Sequence, residues 1–260
     1  MADYETFDYE VEEEVAWITF NRPEKRNPLS RKVWTELMDV MLKTQDDINI
    51  RVLVITGQDP AFSAGLDIKE LSTVEFQGLG DFLNVCLDPN EVMMRYPKPI
   101  IAAINGFAYA GGLELTLFCD EAIASEQAKM GFYENRRGLA SGIGFLYLPE
   151  LIGMRKTKEL LLTGKIIDAN EAYRMGLVNK VVPHEQLHEA VMEEAREMKK
   201  VAPLSHKWTK KWFFEGGHLA MHKNIGSLWA TFWDLFHSED VIEGFTAFME
   251  DKRDPVWKGK

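Results

Sequence analysis

The sequence predicts an α/β core followed by an all-helical C-terminal region, and three observations carry that reading. Short apolar runs, loops containing glycine or proline, and helical stretches alternate over the first two-thirds of the chain. From Glu185 onward only helical periodicity remains. The central apolar runs lack polar alternation, as strands covered on both faces do.

Taken in order, 7–12 and 15–20 alternate, and the acidic gap between them suits a hairpin turn. Residues 21–28, NRPEKRNP, form a loop. Ser30 then caps a helix with Val33, Trp34, Leu37, Val40 and Met41 on one face. Residues 52–56 are a buried strand broken by Gly57-Gln58-Asp59-Pro60, and 61–70 form a loop turning into a helix. Glycines and Asp88-Pro89-Asn90 make 72–90 a broken helix or a mobile segment. A strand at 99–104 ends at Asn105-Gly106, and Ala110-Gly111-Gly112 leads into a buried helix at 113–118. A short strand follows at 121–125, and then a helix at 157–163. Asp168 and Glu171 form a capping box for a helix that Gly176 ends, and 177–182 is a strand. The organisation divides at 199: an α/β core over 1–199 and a helical region over 200–260. The latter concentrates Trp208, Trp212, Phe213, Trp229, Phe232, Trp233 and Phe236. Such aromatics fit either ordinary packing or a subunit interface.

With 260 residues, 46% of them hydrophobic, the chain can bury a large core. Its 30 Lys+Arg against 41 Asp+Glu give a net charge of -11, which argues against nucleic acid or an anionic membrane as the main partner. Cys86 and Cys119 make neither a metal-ligand spacing nor a disulfide framework, so no metal is expected and a reducing, cytoplasmic compartment fits. The acidic start, MADYETFDYEVEEE, has the pattern of neither a signal nor a transit peptide, and no apolar run is long enough to span a bilayer.

The loops at 61–67 and 105–112 share a design. Each follows an apolar strand, contains glycine and opens a helix, so an N–H donor from each can converge on an oxygen that gains negative charge. Glu114 stands in the first turn of the second helix. It reads either as a proton carrier beside those donors or as a carboxylate stabilised by the helix dipole. Glu134, between aromatics and arginines in 130–138, reads either as a second acid–base carboxylate or as a surface partner of Arg136 or Arg137. Phe132, Tyr133, Phe145 and Tyr147 are candidate walls for a short or cyclic substrate.

The runs AFSAGLDIKE (61–70), Asn105-Gly106 with GGLEL (111–115), and GFYE (131–134) resemble the enoyl-CoA hydratase (crotonase) family. The loop at 21–27, the stretches 162–164 and 169–178, and the C-terminal 237–245 and 252–259 resemble it too, so the likeness runs along nearly the whole chain. The resemblance implies a spiral of ββα repeats, a C-terminal helical trimerisation region and a homotrimer or dimer of trimers. It implies an acyl-CoA thioester substrate and no cofactor, coenzyme A being part of the substrate. Matched by position, the backbone N–H groups of Leu66 and Gly111 would form the oxyanion hole. Glu114 would act as base and Glu134 as acid. Arg26, Ala64, Leu66, Asp67, Ile68, Lys69 and Gly111 would bind the coenzyme A thioester, and Gly142 would lie near the attacking water. The expected reaction is addition or removal of water across C2–C3 of a 2-enoyl-CoA, on a short-chain or alicyclic acyl group. Alternatives on the same scaffold are double-bond isomerisation, hydrolysis or a carnitinyl-CoA dehydratase-like reaction, and a non-catalytic RNA-binding member lies outside that class. The chain departs from the family pattern at Tyr133, at Ser141 and over 145–148, positions that implicate the acyl pocket.

Overall fold

A computed structural model describes residues 4–74, 78–137, 139–216, 237–247 and 253–260. Two sheets form the core. Strands β1 (Phe7–Glu12), β2 (Val15–Phe20), β3 (Val52–Gly57), β5 (Ile100–Ile104), β7 (Glu121–Ser125) and β10 (Lys180–Val182) line up in that order in a six-stranded sheet. Strands β4 (Ala61–Ser63), β6 (Phe107–Tyr109), β8 (Lys129–Gly131) and β9 (Ile167–Asp168) make a four-stranded one. β1 pairs with β2 as the expected antiparallel hairpin, and the rest of the large sheet is parallel. Each pass of the chain places one strand in the large sheet and the next in the small one, and then returns through helix: β3–β4, β5–β6 and β7–β8 are successive turns of a ββα spiral.

The central strands are apolar throughout because both faces are covered. Ile18, Leu53, Ile55, Ile100, Ala102 and Ile104 point into the main core, shared with helices α1 (Arg31–Thr44) and α3 (Leu79–Arg95). Their neighbours Trp17, Val52, Val54, Ile101 and Ala103 pack on the other face against Leu187, Val191, Met192 and Ala195 of α8 (Leu187–Lys199). Period-two geometry divides each strand between two cores.

Most helix starts lie where the sequence signals them. Ser30 accepts the Val33 N–H at the start of α1, and Asp168 accepts the Glu171 N–H at 2.8 Å at the start of α7 (Ala169–Met175). Gly176 ends α7 in the left-handed conformation. Three expectations are corrected. The segment expected to be broken carries one continuous helix, α3, with Pro89 inside it. The Asn90 side chain donates to the Cys86 carbonyl at 3.2 Å, supplying a contact in the turn where proline has no N–H. The strand expected at 177–182 shortens to β10, since 177–179 belong to the turn out of α7. Beyond α9 (Pro203–Phe214) and α10 (Glu239–Thr246), 253–260 is not helical. That tail is held by Asp240, which accepts from the backbone N–H groups of Lys258 and Gly259, and by Trp257 donating to the Lys200 carbonyl. The aromatics Trp229, Phe232, Trp233 and Phe236 lie outside the described residues.

Candidate active site

The small sheet positions the site. β4, β6 and β8 are parallel neighbours, so the segments leaving their C-terminal ends emerge side by side. Those segments are 64–67, 110–116 and 132–137, which carry every backbone donor and carboxylate proposed above as reactive.

The loop after β4 is fixed by the loop after β2. Asn27 donates to the carbonyls of Gln58 and Ala61 and accepts the Arg22 N–H, while Ser63 donates its hydroxyl to the Asn27 carbonyl at 2.7 Å. The Ala64 N–H reaches the Arg26 carbonyl at 2.8 Å, and Leu29 and Leu66 form an isolated parallel bridge. Asp67 caps the short helix α2 (Ile68–Leu71) through the N–H groups of Lys69 and Glu70 and lies 3.4 Å from Arg22. Arg26, Ala64 and Leu66 are thus brought together. Asp67 is already committed to its cap, and Ile68 and Lys69 stand exposed at the edge. The Arg26 guanidinium lies 5.5 Å from the centre of the Phe107 ring.

The second loop meets the first closely. A side chain at Gly65, whose φ is +91°, would come within 3.0 Å of the Gly111 nitrogen. A Cβ at Gly111 would instead fit the fold, its nearest neighbour being the Leu66 nitrogen at 3.5 Å. Packing therefore does not demand glycine at 111; a side chain there would occupy the space beside the Leu66 N–H. Neither the Leu66 nor the Gly111 N–H donates to an acceptor among the described residues. Ala110, just before, has φ 50° and ψ -127°, a sparsely populated conformation for a residue with a Cβ, and its N–H is tied to the Gly131 carbonyl at 2.9 Å. This strained residue sets the direction of the Gly111 N–H at the head of α4 (Gly111–Thr116).

The two glutamates have opposite surroundings. Glu114 accepts the Ser141 hydroxyl, and the Gly144 N–H lies 3.4 Å from the same carboxylate oxygen. Both oxygens of Glu134 are shut off from solvent without a hydrogen-bond partner among the described residues. Burial pushes the Glu134 carboxyl up to about 7; its own backbone N–H pulls the other way, the charge of Glu114 adds to the rise, and the Ser141 hydroxyl again lowers it. Among the described residues the surface ion pair considered for Glu134 does not form with Arg136.

Gly142 begins α5 (Gly142–Ile152) with open space around its Cα. Of the aromatic walls expected, Phe132 is fully buried in the core, Phe145 is exposed, and Tyr147 packs edge-on against Phe118 with its hydroxyl on Met94 Sδ. Only Tyr133 faces another aromatic on the site's own strands, Tyr109, at 6.5 Å. Among the described residues Arg136 pairs with no acid: it donates to the Thr163 carbonyl at 2.9 Å and closes the C-terminus of α6 (Met154–Thr163). The side chain of Arg137 lies outside the described part of the structure. Sequence reasoning named Ser141 and Ala110 but missed the bond of the first to Glu114 and the strained backbone of the second. A serine one residue before a helix is a cap signal, which could have located Ser141 as a fixed side chain but not its partner.

The profile of the family described as enoyl-CoA hydratase/isomerase matches residues 10–260. The chain belongs to that family. A crotonyl-CoA hydratase of Syntrophomonas wolfei is 36% identical over 255 residues, covering 96% of this chain and 97% of that protein. A short-chain-enoyl-CoA hydratase of Clostridium acetobutylicum is 34% identical over 256 residues, covering 96% and 97%. The crystal structure of an enoyl-CoA hydratase from Bacillus anthracis superimposes with a TM-score of 0.93 at 32% identity, covering 98% of this chain and 100% of that one.

Proposed function

We propose that the chain is an enoyl-CoA hydratase acting on 2-enoyl thioesters with short acyl groups, adding water across C2–C3 or removing it in the reverse direction. The observation that carries this reading is the pairing of two unlike carboxylates with two uncommitted N–H donors. The Leu66 and Gly111 N–H groups would hold the thioester oxygen, where negative charge grows as the water oxygen bonds C3. Glu114, held as an acceptor, takes a proton from that water. Glu134, inclined to be protonated near neutrality, delivers one to C2. A proton passes back from Glu114 to Glu134 before the next turnover, so the cycle balances with water as sole co-reactant. The Gly142 N–H, at the head of α5 next to Ser141, would help orient the water.

Coenzyme A would lie along 64–69, with Ala64, Leu66, Asp67 and Ile68 against the pantetheine and adenine and with Arg26 and Lys69 as cations for its phosphates. No cofactor beyond the substrate's own coenzyme A enters this scheme. Residues 200–260 would form the assembly region of a homotrimer or dimer of trimers, and we place the protein in the reducing cytoplasm. The tyrosine pair Tyr109 and Tyr133 and the names of the two relatives support a short acyl group. A panel of enoyl-CoA and 3-hydroxyacyl-CoA thioesters of increasing length, with an alicyclic member, tests the reading by product mass. Gain or loss of one water is expected. Isomerised products of unchanged mass, or free coenzyme A, would replace hydration with another reaction of the scaffold.

A further inference from the structure

We infer that Ser141 is a positioning residue for Glu114: its hydroxyl fixes one carboxylate oxygen as an acceptor and leaves the other to take the proton. The inference rests on the hydration reading above and assigns a role that the two-glutamate scheme does not contain.

The argument starts from the hydrogen-bond capacity of a hydroxyl, one proton and two lone pairs. Ser141 is 5% exposed and caps α5, accepting the Gly144 N–H at 3.0 Å. With that N–H on a lone pair, the single hydroxyl proton is free to point elsewhere, and it points at Glu114 Oε1. The backbone of Ser141 is itself anchored, its N–H donating to Asn135 Oδ1 at 3.2 Å while the Asn135 amide donates to the Leu161 carbonyl. A line of bonds thus runs from α6 through Asn135 and Ser141 to the carboxylate. Both groups on Oε1, hydroxyl and Gly144 N–H, are donors, so they hold that oxygen as an acceptor. Oε2 has no partner among the described residues. One serine therefore links the helix that ends at the site to the charge state and orientation of the base.

Among the described residues, the charged and titratable groups around this pair are these. α4 contributes Glu114; the 133–137 turn contributes Glu134 and Tyr133, with Arg136 turned away to the Thr163 carbonyl. β6 contributes Tyr109. On α5, Tyr147 is bonded to Met94 and Glu150 is exposed; on α6, Lys156 pairs with Glu159, and Arg155 and Lys158 are exposed.

Three variants separate positioning from capping. Ser141→Ala removes hydroxyl and cap together. Ser141→Gly removes the hydroxyl but keeps an acceptable cap residue. Ser141→Thr keeps both. Steady-state hydration should show kcat lowered about ten- to hundredfold in the alanine and glycine variants, the effect of losing one hydrogen bond to a charged group, with KM changed by less than about threefold. The acidic limb of kcat/KM should move up by about one pH unit, and threonine should restore both. Infrared difference titration of the free protein, with Glu114→Gln to assign the band, should show the Glu114 carboxyl titrating higher without the hydroxyl. Wild-type kcat and an unmoved acidic limb in both the alanine and glycine variants would overturn the inference. So would a fall in kcat that leaves limb and carboxyl band in place, since that is what a lost cap alone would do. Should the wild-type protein hydrate none of the thioesters, the proposed function fails, and the infrared titration decides the Ser141 inference by itself.

Discussion

Replacing Glu134 by glutamine tests the acid assignment in two ways. Burial, with the Glu114 charge behind it, raises this carboxyl from 4.5 to about 7. The folded protein then binds a proton that the unfolded chain releases between those values, so stability falls as pH rises through that window. The full shift corresponds to about 3.4 kcal/mol, and because the carboxyl oxygens are closed to water while the rest of the side chain is only partly buried, about 1–2 kcal/mol is expected. Glutamine has nearly the same shape and cannot ionise. Glu134→Gln should therefore unfold in urea like the wild type at about pH 5, and be more stable by about 1–2 kcal/mol at about pH 8, compared at equal protomer concentration. Its activity should move oppositely. Loss of a general acid costs about 10²- to 10⁴-fold in kcat, and the wild-type kcat/KM should decline above about pH 7 as the proton is lost. The assay is the disappearance of the conjugated thioester from about pH 5 to 9, read beside the urea curves. A variant that hydrates within about tenfold of wild type, or one destabilised equally at both pH values, would refute the reasoning.

Gly111→Ala has room in the fold, so its melting temperature should stay close to wild type while kcat/KM falls about 10²- to 10³-fold, because the new Cβ stands beside the Leu66 donor. An alanine variant of normal activity would remove Gly111 from the oxyanion site. Glu114→Gln should lower kcat by about 10²-fold or more with thioester binding, measured by calorimetry, largely retained. Across a chain-length series, kcat/KM should peak at short acyl groups; a maximum at long chains would contradict the assignment. Ending the chain near residue 200 deletes α9, which packs on α3 and whose Lys210 reaches Asp120, together with α10 and the tail. Gel filtration should then show monomers or aggregates, and a soluble trimer of that length would place assembly elsewhere.

What the sequence determined by itself was local. The strands of the large sheet, the caps at Ser30 and Asp168, and the αL glycine at 176 were legible because each depends on a few adjacent residues. Glu114 and the glycine turn before it were legible for the same reason. The family likeness added the order of the site's parts along the chain. The small sheet was not read from periodicity, since its strands are two or three residues long, too short to display a period. Nor was the continuity of α3 across Pro89, where tertiary packing on α1 outweighs the local penalty of proline.

The tertiary structure alone decided the chemistry of the groups. Glu114 and Glu134 are the same residue type in the sequence. β6 and β8 leave the sheet side by side, and the head of α5 meets them there: Glu114 accepts the Ser141 hydroxyl, while burial dominates the surroundings of Glu134. Arg136 adjoins Glu134 in sequence yet serves the end of α6, and Phe132 and Phe145 divide between core and solvent. Residue types and spacing specify which groups are available. Burial and hydrogen bonding, which depend on where distant segments meet, specify the surroundings each one is given.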